Sequence, residues 1–104
     1  MVNTQSKNII ITGGARGIGR VIARHLLSQP LDHRVFLVDL NAEELEYVVT
    51  KHLAAYAPRV GSVVANLRNP KAIREAVAKA AEFFDDRIDV LVNNAGTHVK
   101  LCTR

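Results

Sequence analysis

A single cysteine, Cys102, leaves this 104-residue chain no internal disulfide and fits a reducing compartment. Long apolar runs are missing too: residues 1–6 are mostly polar, and the run Ile9-Ile10-Ile11 stops after three residues at Thr12. That is too short for a signal-peptide core or a membrane span, so the chain reads as soluble and cytoplasmic, with no membrane partner. The four histidines, His25, His33, His52 and His98, have no ligand-like spacing and no cysteine beside them. No metal site is expected. The net charge of +4 comes from 14 Lys and Arg against 10 Asp and Glu, yet Arg16, Arg20, Arg24, Lys51, Arg59, Lys71, Arg74, Lys79 and Arg87 form no block. They read as solvated faces of helices and turns, and no nucleic-acid partner is expected.

What is present is an apolar fraction of 48%, ample for one core in one small domain. Its pattern alternates between two periods. Strands are predicted over Lys7–Thr12, Arg34–Asp39, Val60–Asn66 and Ile88–Asn93, the first a nearly continuous apolar run of the kind buried on both faces. Between them, Ile18, Val21, Ile22 and Leu26 predict a helix from Gly17 to Ser28, stopped by Pro30. Asn41, with Glu44 three residues on, predicts a capping box opening a helix to about Tyr56, with Leu45, Val48, Val49, His52, Leu53 and Tyr56 inward. Asn69-Pro70 predicts the start of a third helix to about Phe84, buried through Ile73, Ala76, Val77, Ala80 and Phe84. Strands alternating with helices predict an α/β fold, a parallel sheet with right-handed crossovers.

Two motifs lie at strand ends. Thr12-Gly13-Gly14-Ala15-Arg16-Gly17-Ile18-Gly19 links the first strand to the first helix. Gly13 can take the positive φ of a tight turn, and Gly17 and Gly19 remove Cβ atoms that would block a diphosphate and the strand beneath the helix. The helix starting at Gly17, Ile18 and Gly19 aims its N–H groups and positive dipole end at an anion. Asp39 lies 20 positions beyond Gly19, at the tip of the second strand. There a carboxylate can accept from ribose hydroxyls or cap the turn before Asn41. The second motif, Asn93-Asn94-Ala95-Gly96, follows the fourth strand.

Both motifs, in this order and with an acidic residue between them, resemble the short-chain dehydrogenase/reductase family. The resemblance implies a partial Rossmann fold over residues 1–96, strand order 3-2-1-4 with helices on both faces, and a tail at 97–104 of unassigned structure. It implies a nicotinamide dinucleotide as cofactor and hydride transfer to or from an alcohol or carbonyl as the family reaction. Gly13, Arg16, Gly17, Ile18, Gly19 and Asp39 then fall on cofactor-binding positions. Asn66 and Leu67 stand where the family usually has Asp and an apolar residue beside the adenine; Asn keeps an acceptor oxygen but loses the charge. Asn93, Ala95 and Gly96 resemble positions approaching the adenosine ribose and diphosphate, whereas Asn94 and Thr12 read as structural hydrogen bonders between the two loops.

A basic residue in the glycine loop, such as Arg16, often accompanies NADP in this family, although Arg16 also reads as a side chain in solvent or paired with an acid. Asp39 about 4 Å from a 2′-phosphate would cost on the order of 4 kcal/mol at an effective dielectric of 20, so NAD is favoured and NADP kept as the alternative. The family's catalytic Ser and Tyr-x-x-x-Lys follow Asn-Asn-Ala-Gly, where this sequence has eight residues. No catalytic residue is therefore assigned, and the chain alone is expected to be inactive. Its substrate would bind only with a C-terminal half, and the family's oligomerisation helices are absent. Tyr47-Val48-Val49-Thr50-Lys51 has the catalytic spacing but falls before the third strand, so Tyr47 and Lys51 read as surface residues. The rival readings are a non-catalytic dinucleotide-binding or interaction module and a truncated product without function. A fourth strand lacking its fifth-strand neighbour leaves an edge prone to association.

Overall fold

The computed structural model describes residues 5–94. Asn8, Ile9, Ile10, Ile11 and Thr12 are all buried because β1 (Asn8–Thr12) is an inner strand covered on both faces. It is followed by α1 (Gly17–Leu27), β2 (Arg34–Asp39), α2 (Ala42–Tyr47), β3 (Val60–Val64), α3 (Pro70–Phe83) and β4 (Val90–Asn93). All strand pairings are parallel and the order is β3-β2-β1-β4, as the family resemblance implied. Register aligns Thr12 with Val38 and with Asn93, and Asp39 with Val64, so the C-terminal tips of the strands form one rim.

Alternation along the strands builds two cores. Ile9, Ile11, Val35 and Leu37 face α1 and α2, joining Ala23, Leu27, Leu45, Val48 and Leu53. Ile10, Phe36 and Val38 face α3, joining Ala76, Ala80 and Phe84. Helices thus cover both faces of the sheet. Among the described residues no helix is long and apolar enough to cross a membrane.

The helices bury narrower stripes than their sequences predict. α1 packs through Gly19, Ala23 and Leu27, one per turn, with Ile22 and Leu26 partly buried, while Ile18 and Val21 are 69% and 63% exposed. On α3 the buried line is Ala76, Ala80 and the C-cap Phe84, and Ile73 and Val77 are exposed. Small residues at four-residue spacing let both helices lie close to the sheet, leaving the larger side chains on outer flanks. β3 stops at Val64 rather than Asn66, and β4 starts at Val90 rather than Ile88. β4 is an edge, with Leu91 60% exposed.

The second helix is not continuous to Tyr56. Beyond Tyr47 the chain widens into a π-helical turn, Val48–His52, then tightens into a 3₁₀ segment, Ala54–Arg59. An α-helix puts residues five apart on different sides. The wider turn, in which the Leu53 N–H donates to the Val48 carbonyl at 2.9 Å, lets both of these side chains reach the core. Thr50 adds to the departure by donating its hydroxyl to the Glu46 carbonyl at 2.7 Å. His52 turns out of the inner stripe toward Arg20 Nη1 at 3.2 Å and packs edge-on against Tyr47.

Two arginines are structural rather than solvated. Arg34 donates to the carbonyls of Phe83 and Phe84 at 3.2 Å each, holding the end of α3. Arg59 donates to the carbonyls of Leu27, Leu31 and His33 at 3.0–3.1 Å, closing the end of α1 and the turn into β2. Arg59→Met keeps the aliphatic stem and removes all three bonds, so a loss of about 2–3 kcal/mol is expected in chemical denaturation. A change within about 0.5 kcal/mol, usual for a surface substitution, would return Arg59 to the solvated cations.

His33 is held as a neutral ring. Its Nδ1 accepts the Lys7 N–H at 3.0 Å, while Nε2 faces Gln29 Oε1 at 3.2 Å. Desolvation by burial, then the charges of Arg59 and Lys7, lower its pKa from 6.5. The unfolded chain therefore takes up the proton more readily than the folded one. The stability from neutral His33 is complete above about pH 6.5 and is lost as pH falls through the depressed folded value. Melting temperature is expected to drop between about pH 7.5 and 5.5. In His33→Asn, whose amide oxygen can still accept the Lys7 N–H, that drop should shrink; an unchanged pH profile would acquit His33.

Candidate functional site

The turn from β1 to α1 assigns its four glycines different work. Gly13, at φ 70°, turns the chain so that its N–H donates to the Val38 carbonyl at 2.7 Å. Gly14 lies on β2, where a Cβ would come within 2.7 Å of Leu37 Cδ2. Gly17 has φ 53°, and a Cβ there would meet nothing within 4 Å. At Gly19 a Cβ would collide with the Gly13 carbonyl oxygen and stand 2.7 Å from Asn94 Nδ2. Gly17 opens outward, whereas Gly19 lets α1 close on the loop. Gly14 is a position the sequence reading did not single out, although the Gly13-Gly14 pair was its visible signal.

α2 and α3 are capped by their own side chains. Asn41 Oδ1 accepts the Glu44 N–H at 2.9 Å, and Asn69 Oδ1 accepts those of Lys71 and Ala72 at 2.9 and 3.3 Å. α1 begins differently: Arg16, its extended N-cap residue, supplies no side-chain cap. The helix therefore presents N–H donors and a positive dipole end to whatever occupies the space beside Gly17. The expected capping box on α2 is only half formed. Glu44 Oε1 is engaged by Arg16 Nε at 3.0 Å instead of reaching back toward Asn41.

Beside Gly17 lies a cleft of about 610 Å³, within the range of small-ligand sites. It brings together Gly13, Arg16, Gly17, Asp39, Asn66 and Leu67, with Val38, Leu40, Ala65, Arg68 and Asn94 completing the wall. Asp39 is 7% exposed and already holds two donors: Oδ2 accepts the Ala15 N–H and Oδ1 the Asn41 N–H, both at 3.0 Å. Its turn-capping role is therefore realised. Because a carboxylate offers about four acceptor directions, it can also receive ribose hydroxyls. Asn66 Oδ1 accepts the Arg68 N–H at 2.9 Å, shaping the turn that follows β3.

Ile18 and Gly19 do not line this cleft, nor does Asn93. Asn93 Oδ1 instead receives the Thr12 hydroxyl at 3.2 Å. Asn94 donates its N–H to Thr12 Oγ1 at 2.9 Å and its side-chain amide to the Gly13 carbonyl at 3.2 Å, tying the end of β4 to the glycine loop. Ala95 and Gly96 lie outside the described residues, as does the tail at 97–104. Tyr47 and Lys51 are exposed on α2 and the π turn, with Tyr47 lining a separate cleft beside Arg16 and Glu44. Among the described residues no group of three or more His, Cys, Asp or Glu is placed to hold a metal.

The arrangement offers a diphosphate the start of α1, a ribose the Asp39 carboxylate, and a flat base the Leu67 side of the cleft. Known proteins share the fold that builds it. Glucose dehydrogenase of Caenorhabditis elegans in its apo form superposes with a TM-score of 0.76 at 34% identity, over 88% of this chain and 38% of that one. L-sorbose reductase from Gluconobacter frateurii, solved with NADPH and L-sorbose, gives 0.74 at 28% identity, over 88% and 34%. In sequence, the chain is 41% identical over 91 residues to 2-(R)-hydroxypropyl-CoM dehydrogenase of Xanthobacter autotrophicus, covering 88% of this chain and 35% of that protein. It is 36% identical over 88 residues to oxidoreductase calM of Penicillium decumbens, covering 83% and 27%. It thus spans roughly a third of the length of such relatives. The family model for short chain dehydrogenase matches residues 7–103, nearly the whole chain, and the chain belongs to that family.

Proposed function

We propose that the cleft holds the adenosine diphosphate part of a nicotinamide dinucleotide, NAD(H) in preference to NADP(H), and that the chain supplies the cofactor-holding portion of an oxidoreductase. In the whole protein, hydride would pass between the nicotinamide and an alcohol or carbonyl. The observation that carries this reading is the start of α1, which has no side-chain cap and opens at Gly17 onto the cleft. An anionic diphosphate would complete the cap, accepting the N–H groups of the first turn. At the other end, Asp39 suits free ribose hydroxyls and opposes an added 2′-phosphate. No Tyr-x-x-x-Lys follows Gly96 in the sequence, so the 104-residue chain by itself is taken not to turn over substrate.

Paired glycine substitutions separate binding from folding. Gly17→Ala places a methyl in open space at a cost of about 1–2 kcal/mol for its left-handed backbone, and is expected to weaken NADH binding at least about tenfold with the fold retained. Gly19→Ala drives a Cβ into the Gly13 carbonyl and should lower the melting temperature far more. Fluorescence titration with NADH beside thermal melts checks both. Unaltered NADH affinity in Gly17→Ala would overturn the diphosphate assignment.

Asp39 is tested by removing its charge while keeping an acceptor. In Asp39→Asn, affinity for NAD is expected to fall about tenfold and the preference over NADP to narrow or reverse. Calorimetric titration of both cofactors reads the two constants. Tighter binding of NADP than NAD by the unaltered chain would mean that Arg16 outweighs Asp39.

A further inference from the structure

The geometry points to Glu44 as a specificity-determining residue for the cofactor's 2′ position, acting through Arg16; this rests on the dinucleotide reading of the cleft. Arg16 stands on the ridge between two spaces. One is the cleft it lines with Gly17 and Asp39; the other is a smaller hollow of about 250 Å³ that it lines with Glu43, Glu44 and Tyr47. A long side chain at the N-cap of α1 can serve either. Here its guanidinium is drawn to the second, Nε forming an ion pair with Glu44 Oε1 at 3.0 Å, a charge contact without hydrogen-bond geometry. A cation so paired is withheld from a phosphate in the first cleft and has its charge offset.

Glu44 is well placed to do this because α2 is fixed at its start. Asp39 Oδ1 accepts the Asn41 N–H, and Asn41 Oδ1 accepts the Glu44 N–H, so a short chain of bonds runs from the ribose-facing carboxylate to the residue restraining Arg16. The same tip of β2 therefore opposes a 2′-phosphate twice: directly through the Asp39 charge and indirectly through Glu44. Arg20 also lines the smaller hollow, and Arg68 stands on the wall of the cleft. Glu44 and Arg16 are 44% and 65% exposed at their side chains, so the pair is weak enough for substitution to release the guanidinium without unfolding the helix.

NAD⁺ and NADP⁺ differ only in the 2′-phosphate, so binding of the two to the full chain, followed by two-dimensional amide NMR at one ionic strength, isolates the effect. In Glu44→Gln the NADP⁺ affinity is expected to rise about three- to fivefold while that for NAD⁺ stays within about 1.5-fold. Adding Arg16→Ala should abolish the gain, because the released guanidinium is what makes it. Equal changes for both cofactors, or a gain that survives Arg16→Ala and so belongs to Arg68 or to net charge, overturn the role of Glu44. If unaltered protein binds neither cofactor, the dinucleotide reading falls and this inference falls with it.

Discussion

The carboxylate of Asp39 is the interaction on which the rim of the sheet depends. One oxygen holds the glycine loop through the Ala15 N–H, the other holds the approach to α2 through the Asn41 N–H, and the backbone carbonyl of the same residue receives the Ala65 N–H after β3. Three connections that diverge in sequence are tied to one residue. Charge-assisted bonds to backbone amides are among the stronger polar interactions available to a fold, and burial shields them from water. Asp39, the residue proposed to meet the ribose, is therefore already a part of the scaffold.

On the β4 side of β1, bonds between neutral groups do the corresponding work. Thr12 and Asn94 fasten the tip of β4 to the tip of β1, and the Asn94 amide reaches the Gly13 carbonyl. That carbonyl is the atom a Cβ at Gly19 would strike. The loop thus lies close between α1 and the end of β4, and packing on both sides restricts its conformation. Preorganisation of this kind lowers the ordering cost that binding would otherwise carry.

The strands, the helices between them and the glycine turn were legible because each has a local signature: apolar runs closed by turn residues, Asn caps, and glycines where the backbone needs them; the strand order and the helices on both faces came from the family resemblance. The burial of particular helix residues was legible only in part: Ala76, Ala80 and Phe84 lie buried as expected, Ala23 was not singled out, and four bulkier neighbours are exposed. Ile18, Val21, Ile73 and Val77 fit a helical stripe as well as Ala23, Ala76 and Ala80 do, and periodicity favours bulk where close packing selects small side chains. The π turn escaped because its cause is tertiary, the joint burial of Val48 and Leu53. Arg59 looked like any exposed cation, since nothing in sequence announces that three carbonyls will converge on it. Within the site, Gly13, Arg16, Gly17, Asp39, Asn66 and Leu67 meet in one cleft. An acidic partner for Arg16 was open to the sequence, but its identity as Glu44 was hidden by a competing local pattern, the Asn41–Glu44 capping box.

That competition follows from what an uncapped helix does to its neighbours. With no side chain satisfying the first turn of α1, the residue at its N-cap is free to be chosen for other ends, and an arginine there adds positive charge to a positive dipole end. Alone this is unfavourable for the helix. Glu44 offsets the charge from outside, and an anion in the cleft would offset the dipole from within. The two compensations are not equivalent: Glu44 is present in the folded chain at all times, whereas the anion contributes only in proportion to its occupancy. The start of α1 therefore has its added charge offset by Glu44 and still has N–H groups that no side chain caps, the arrangement on which the proposed diphosphate reading rests.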